Sequence, residues 1–405
     1  MEKALNKKRG VEQELLYALL LMLFGYVLLH DLLGGTLFVH SDWDSYTLQA
    51  LAWRDGKVGL GQNYPWLELA TYNGDYFVSF PPLPSVIMLP LTFLFGENTP
   101  NNLVMVAYAM LTVALAYKAL RFKGTTPSAA AFLALFYVWG SNMLWMSTNG
   151  GVWFQAQALN MLLLTWMVLA ALQNRRVLAY ALVALAVGCR PFSAVCFLPL
   201  FVWFYMFDRE NKGKGFFKTA LLQARCLVFP VLIAGAYMWY NYARFQNPFE
   251  FGHNYLPEFL ESPEGQFSFS YVPENLFNLF VRPVTVDLSF RLKFTYFNGF
   301  MFYIANPLFL LLLIRVAKDA FKKLVNAVSL SLLFAMALNI LLLCMHKTMG
   351  GWQFGARYTV DMLPLALFYF LRSGAWEPKR YEKFIALLGI LFNAYGALAI
   401  TFLYQ

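Results

Sequence analysis

The stretch His40-Ser41-Asp42-Trp43-Asp44-Ser45-Tyr46 sets two carboxylates two residues apart, directly after a long apolar run. At the edge of an apolar environment desolvation disfavours the charged carboxylate, which suits it to take a proton, and a pair of them can also hold a divalent cation. An aspartate in that place serves equally as the N-cap of a short helix, here one running to about Asp55, and the spacing leaves both roles open. Further on, Tyr72-Asn73-Gly74-Asp75-Tyr76-Phe77 reads as a tight turn. The prolines of Ser79-Phe80-Pro81-Pro82-Leu83-Pro84 break any helix and start a new segment with fixed backbone angles.

Two arginines stand out. Arg190 lies inside an apolar run, where an arginine costs on the order of 2.5–3.5 kcal/mol to insert, so it is expected to face a cavity or a partner. Its planar fork suits phosphate, and an ion pair with a first-loop acid is the structural alternative. Arg357 sits in His346-Lys347 followed by Gly350-Gly351-Trp352-Gln353-Phe354-Gly355-Ala356-Arg357-Tyr358. The glycines there let backbone and ring come close to a ligand. Trp352 either stacks on a sugar or belongs to the interfacial aromatic belt. Asn241, Arg244, Asn247, Glu250 and His253 form another polar group, and Gly150, Gly151, Trp153 and Gln155 add a rim. A single histidine such as His253 is most often just a hydrogen-bonded residue.

The elements that carry these groups follow from composition. Of 405 residues, 60% are hydrophobic and 13% are charged, against about 25% charged in a soluble domain, so most of the surface must face lipid. The runs lack the alternation of a β-barrel, and helices are the expected spans. No cleavage site follows the first run, which should stay as an anchor. The formal net charge of +9 does not point to nucleic acid, because the basic residues cluster in short connectors beside the spans. Cys189, Cys196, Cys226 and Cys344 show no CxxC spacing and read as small buried hydrophobes.

Apolar runs occur at about 15–35, 103–120, 127–147, 153–172, 177–207, 219–240, 299–314, 326–345, 358–371 and 384–404. The 177–207 run is too long for one span of ~20 residues and splits at Gly188-Cys189-Arg190-Pro191. The run 83–96 is too short to cross and reads as re-entrant or interfacial. With the N-terminus (Lys3, Lys7, Lys8, Arg9) in the cytoplasm, every basic connector falls on the inside. These are Arg121 and Lys123; Arg175 and Arg176; Arg209, Lys212, Lys214 and Lys218; Arg315 to Lys323; and Arg372 to Lys383. The expectation is one all-α polytopic membrane domain over 1–405 in the cell membrane, with about eleven transmembrane helices. Its extracytoplasmic loops at 36–102 and 241–298 would frame a single extracytoplasmic site, since loops on a rigid scaffold carry function.

Asp42-Trp43-Asp44-Ser45-Tyr46, then Asn73-Gly74-Asp75-Tyr76-Phe77 and Pro81-Pro82-Leu83, resemble the GT-C class of membrane glycosyltransferases. The protein O-mannosyltransferase and aminoarabinose-transferase-like branch looks most similar. Gly351-Trp352-Gln353-Phe354-Gly355-Ala356-Arg357-Tyr358 with Asp361 and Pro364 is similar to the late motif of many bacterial members. The resemblance implies transfer of a sugar from a polyprenyl-phosphate carrier to a lipid, glycan or protein acceptor, with inversion. It makes Asp42 the catalytic carboxylate, with Asp44 as the alternative and Tyr46 as the following tyrosine. Many members carry Lys just before the paired prolines, where Ser79 and Phe80 stand here. Binding of the carrier phosphate then falls to Arg190, Arg357 or Lys347. Tyr46, Tyr76, Gln155, Arg244, His253, Trp352 and Tyr358 are the expected substrate contacts. No cofactor is required, although Asp42 and Asp44 are compatible with a divalent cation. A transporter or flippase of a lipid-linked sugar is the competing reading; it commonly has two related halves, and no internal repeat is visible.

Overall fold

The computed structural model describes residues 2–213, 215–289 and 291–403, with the backbone alone for 2–12, 211–212 and 403. The side chains of Lys3, Lys7, Lys8, Arg9, Lys212 and Lys214, and the end of the expected last span at 404, lie outside the described residues. Among the described residues six helices are long and apolar enough to cross a membrane: Gln13–Leu32, Asn101–Phe122, Val152–Leu172, Pro191–Glu210, Ala327–Met345 and Arg380–Phe402. At about 1.5 Å per residue each matches a hydrocarbon core of roughly 30 Å. Phe216–Arg225 and Val228–Phe245, bent by 51° at their junction, make a seventh if taken as one span.

The structure is thus that of a polytopic helical membrane protein; among the described residues six or seven of the eleven expected spans are single helices of full crossing length. The other apolar runs fold as the shorter helices Pro127–Trp139, Arg176–Val187, Leu308–Phe321 and Leu363–Leu371. The reason is local: Gly140, Gly188, Pro307 and a 3-10 turn over Arg357–Met362 interrupt the hydrogen-bonded ladder inside stretches that are apolar throughout. Apolar length therefore overestimates helix length.

Val152–Leu172 is the axis of the bundle, with 94% of its apolar window buried. A helix apolar all round belongs in a core, and Asn101–Phe122 and Arg176–Val187 pack along it. Outer helices instead expose Leu20, Phe24, Leu388 and Leu391, as lipid contact requires. All four cysteines are buried and unpaired.

The loop-bearing end is held by a few specific devices. Asp44 caps the helix Ser45–Arg54. Leu69–Tyr72 and Asp75–Val78 pair antiparallel, Leu69 opposite Val78 and Tyr72 opposite Asp75. Asn73 and Gly74 turn the hairpin with φ of 49° and 81°, the geometry for which Asn-Gly is favoured. The helix Leu83–Phe95 stays beside this loop: Leu83 N donates to Gly188 O at 2.9 Å, and Arg54 Nη1 donates to Thr92 O at 2.6 Å. His40 Nδ1 meets Thr99 O at 2.9 Å, so the chain returns to where the loop began.

The later loops interlock. Asn298 N donates to Gly351 O and Gln353 N to Tyr296 O, at 3.0 and 2.7 Å. Gly355 sits deepest, with φ +71°, and an added Cβ would lie 2.3 Å from Asn142 Nδ2 and 2.5 Å from Ala305 Cβ. Gly355→Ala combines a left-handed backbone with this clash. We expect it to lose about 2–4 kcal/mol of stability, read as a lower unfolding midpoint in detergent.

Candidate active site

One cavity of about 840 Å³ opens at the loop-bearing end. Its floor is the bundle itself. Arg357 is buried, with Nη1 on Gln157 Oε1 at 2.7 Å and Nε and Nη2 on Gly350 O at 3.1 and 2.8 Å. Arg190 donates through Nε to Asp361 Oδ2 at 3.0 Å. Both guanidiniums lie over the Tyr358 ring, Cζ 4.4 and 4.7 Å from its centroid, an arrangement in which the ring quadrupole attracts each cation. Asp361 is itself held by Asn160 Nδ2 at 3.0 Å, and Ser193 Oγ donates to Asn160 Oδ1 at 2.7 Å. Gln157 and Asn160, three apart, share one face of the central helix. That face fixes both arginines.

The cavity walls come from the loops, with Trp153 added from the first turn of the central helix. Trp43, Glu68, Phe80, Trp153, Phe259 and Trp352 line it, together with Glu250, His253, Glu258 and His346. Trp43 and Trp153 lie 5.8 Å apart, and Trp153 Nε1 donates to Glu68 Oε2 at 2.9 Å. Burial raises the pKa of Glu68 and of Glu258 above the ordinary carboxylate value. Glu250 is committed to its own turn, accepting from Gly252 N at 2.6 Å and Asn254 Nδ2 at 2.7 Å. Burial lowers His253 to about 4 and His346 to about 3. Both imidazoles are neutral at pH 7, His253 Nδ1 against Ser79 O at 2.5 Å and His346 Nδ1 against Thr348 O at 2.7 Å.

Of the residues singled out in the sequence, Arg190, Arg357, His253, Trp352 and Tyr358 line the cavity. Lys347 does not: its Nζ donates to Glu258 O at 2.6 Å. Asp44 is buried, and its carboxylate accepts from Tyr46 N at 3.0 Å, Thr47 N at 3.2 Å, Asn101 Nδ2 at 2.9 Å and the Thr47 hydroxyl. Asp42 is exposed beside Trp43, and its carbonyl accepts from Trp66 Nε1 at 3.2 Å. The Asp44 carboxylate is thus saturated with donors, while that of Asp42 stands exposed. Among the described residues no three of His, Cys, Asp or Glu converge as metal ligands.

Tyr46 is buried against Phe80 behind the cavity wall, and Gln155 donates to Gly150 O at 2.7 Å. Arg244 anchors the hairpin through Val78 O at 2.7 Å. Tyr76 lies on the hairpin, where its carbonyl accepts from Leu60 N at 2.8 Å. Arg190 does make an ion pair, the structural alternative for it, but with Asp361 and not with a first-loop acid. Glu68, Gln157, Asn160 and Glu258 had no assigned role in the sequence. For Gln157 and Asn160 the signal was present, as two amides three apart inside an apolar run.

Two outcomes follow. Removing the counter-charge by Asp361→Leu leaves Arg190 unpaired at the cavity floor, and we expect a loss of about 3–5 kcal/mol in detergent unfolding. The histidines bear on pH. Their folded-state pKa values lie below the ordinary 6.5, so the unfolded chain binds more protons between those values. Their contribution is complete above about pH 6.5 and is lost as the pH falls toward 4. A His253→Gln, His346→Gln double variant should lose less thermal stability than the wild type over that interval.

No known family profile matches the chain, and no curated protein matches it in sequence. Among solved structures, the apo crystal structure of the Archaeoglobus fulgidus oligosaccharyltransferase matches with a TM-score of 0.54 at 15% sequence identity. The match covers 96% of this chain and 56% of that one, so this chain spans little more than half the length of that protein. At this identity the likeness is one of fold alone: the chain shares its helical architecture with that oligosaccharyltransferase.

Proposed function

We propose that the chain is a membrane glycosyltransferase that moves a sugar from a polyprenyl-phosphate carrier to an extracytoplasmic acceptor, with inversion at the anomeric carbon. The observation that carries the reading is the cavity in which Arg190 and Arg357 share the Tyr358 ring, with carboxylates and aromatic rings in its walls. The shared fold with an oligosaccharyltransferase supports the same class of chemistry.

The charge pattern supports the orientation. The central helix starts at the cavity with Trp153 and runs away from it to Arg175 and Arg176. Ala327–Met345 runs the other way and ends at the cavity. The basic connectors meet one another at the far end, where Arg372 Nη2 donates to Asp319 Oδ2 at 2.5 Å and Trp376 N to Thr125 Oγ1 at 3.1 Å. Basic connectors gathered at one end support a reading with that end in the cytoplasm and the cavity outside.

In the transfer, Arg190 and Arg357 bind the carrier phosphate and stabilise the charge that grows on it as the glycosidic bond breaks. Both are fixed before the substrate arrives, so little reorganisation is needed at the transition state. Trp352, Trp43 and Trp153 offer apolar faces to the sugar ring. Asp44 fixes the first loop by its cap, and Asp42 stands at the rim as the loop's uncommitted carboxylate. His253, neutral and half-buried, holds Ser79 and the start of the proline segment.

The test is transfer of label from radiolabelled polyprenyl-phosphate sugars to membrane extract by the purified protein. We expect wild-type protein to move label, and Arg190→Lys to lower kcat about 10²–10³-fold, since a point charge cannot replace the planar fork. Carrier that binds with no label moved from any donor would refute the transferase reading and leave transport to be assayed in liposomes.

A further inference from the structure

Besides Asp361, whose two oxygens are taken by Arg190 and Asn160, five acidic residues stand in or beside the cavity, and their hydrogen bonds separate them. Asp44 accepts four donors. Glu250 spends both oxygens on its own turn. Asp42 is exposed and does not line the cavity. Glu258 lines it but is exposed, on a loop whose carbonyl is tied to Lys347. Glu68 differs from all four. It is half-buried and lines the cavity, with Oε2 held by Trp153 Nε1 at 2.9 Å and Oε1 free of any hydrogen bond among the described residues.

The backbone of Glu68 is also fixed. Its carbonyl accepts from Ser79 Oγ at 2.8 Å, and the next residue, Leu69, opens the strand that pairs with Val78. Trp153 belongs to the first turn of the central helix, four residues before Gln157, which holds Arg357. One helix therefore positions both the group that holds Glu68 and the group that holds Arg357. Glu68 and Arg357 also act on each other electrostatically across the cavity.

We propose that Glu68 is the general base of the transfer, with Oε1 as the atom that takes the acceptor proton and Trp153 as the positioning residue that holds Oε2. The assignment rests on the transferase reading above. The acceptor O–H proton passes to Oε1, and the acceptor oxygen forms the new bond to the anomeric carbon. The bond from that carbon to the phosphate oxygen breaks, and its electron pair stays on the phosphate beside the arginines. The proton then leaves Glu68 for water. Burial, which raises Glu68, brings its basicity nearer to neutral pH, where a general base is most effective. The Trp153 hydrogen bond works the other way, because it favours the charged form.

Steady-state transfer is measured with the purified full chain, radiolabelled polyprenyl-phosphate sugar and membrane extract, across pH. Glu68→Gln should lower kcat by about 10²–10⁴-fold while labelled carrier still binds. Trp153→Phe removes the bond that favours the charged form, so the acid limb of its kcat profile should move to higher pH. A packing role alone would lower activity without moving the limb. The assignment is overturned if the wild type transfers label and Glu68→Gln keeps kcat within about threefold, well short of the loss of a general base. It is equally overturned if Trp153→Phe leaves the limb in place, or if Asp42→Asn abolishes the limb and Glu68→Gln does not. If the wild type moves no label from any donor, the transferase reading falls and the assignment with it.

Discussion

The arrangement depends on keeping two arginines charged at the buried end of an apolar bundle. An uncompensated cation there is costly, and the chain compensates each one differently. Arg190 has a carboxylate, Asp361, whose second oxygen is held by Asn160. Among the described residues the Arg357 guanidinium has no carboxylate as a hydrogen-bond partner, only the Gln157 amide and the Gly350 carbonyl. A buried ion pair is weak evidence for stability but requires good geometry. That geometry comes from the central helix, which is almost wholly enclosed. The helix therefore does two jobs that conflict in a membrane: it is the apolar axis and the carrier of a polar stripe.

The division between floor and walls follows from this. Cations that must sit at fixed depth are tied to helices, while the carboxylates and rings come from loops. The loops are ordered chiefly by backbone pairing between 266–300 and 345–355, as in Ser268 N to Met345 O at 2.9 Å and Lys347 N to Gln266 O at 2.9 Å. Such contacts break more easily than helix packing, and few of them are shielded by apolar burial. A substrate with a long lipid tail needs a wall that can part, and a floor that cannot. The two neutral histidines belong to this wall, packed on Phe259 at 6.0 and 5.4 Å.

Much of the scaffold was legible because its signals are local. The break at Gly188-Cys189-Arg190-Pro191 appears as a helix end at Val187 and a 3-10 turn from Pro191. The short helix after Asp44 runs Ser45–Arg54, close to the expected end at Asp55. The span count was less legible, because hydropathy sums side chains while helix length depends on the backbone at Gly140 and Pro307. The cavity was legible in part. Arg190 and Arg357 announce themselves by being charged in apolar runs. Glu68 does not, since a glutamate in a polar loop looks like any solvated side chain until Trp153, 85 positions away, is brought to it.

The two first-loop aspartates show how a motif can hold two kinds of information. Asp44 is placed where a carboxylate caps a helix, and the cap is reinforced by Asn101 from the next span, so the first loop is locked to the bundle at this point. Asn101 also accepts from Ser41 N at 2.9 Å, and Ser41 Oγ donates to Asn149 at 2.9 Å. The segment 41–44 is thereby tied to residues 101 and 149 at once, and Trp43 N-terminal to the cap is left facing the cavity. Its carbonyl takes Val152 N at 3.0 Å, at the start of the central helix. The same helix that fixes the arginines thus fixes the first loop, and the cavity's floor and nearest wall cannot move independently.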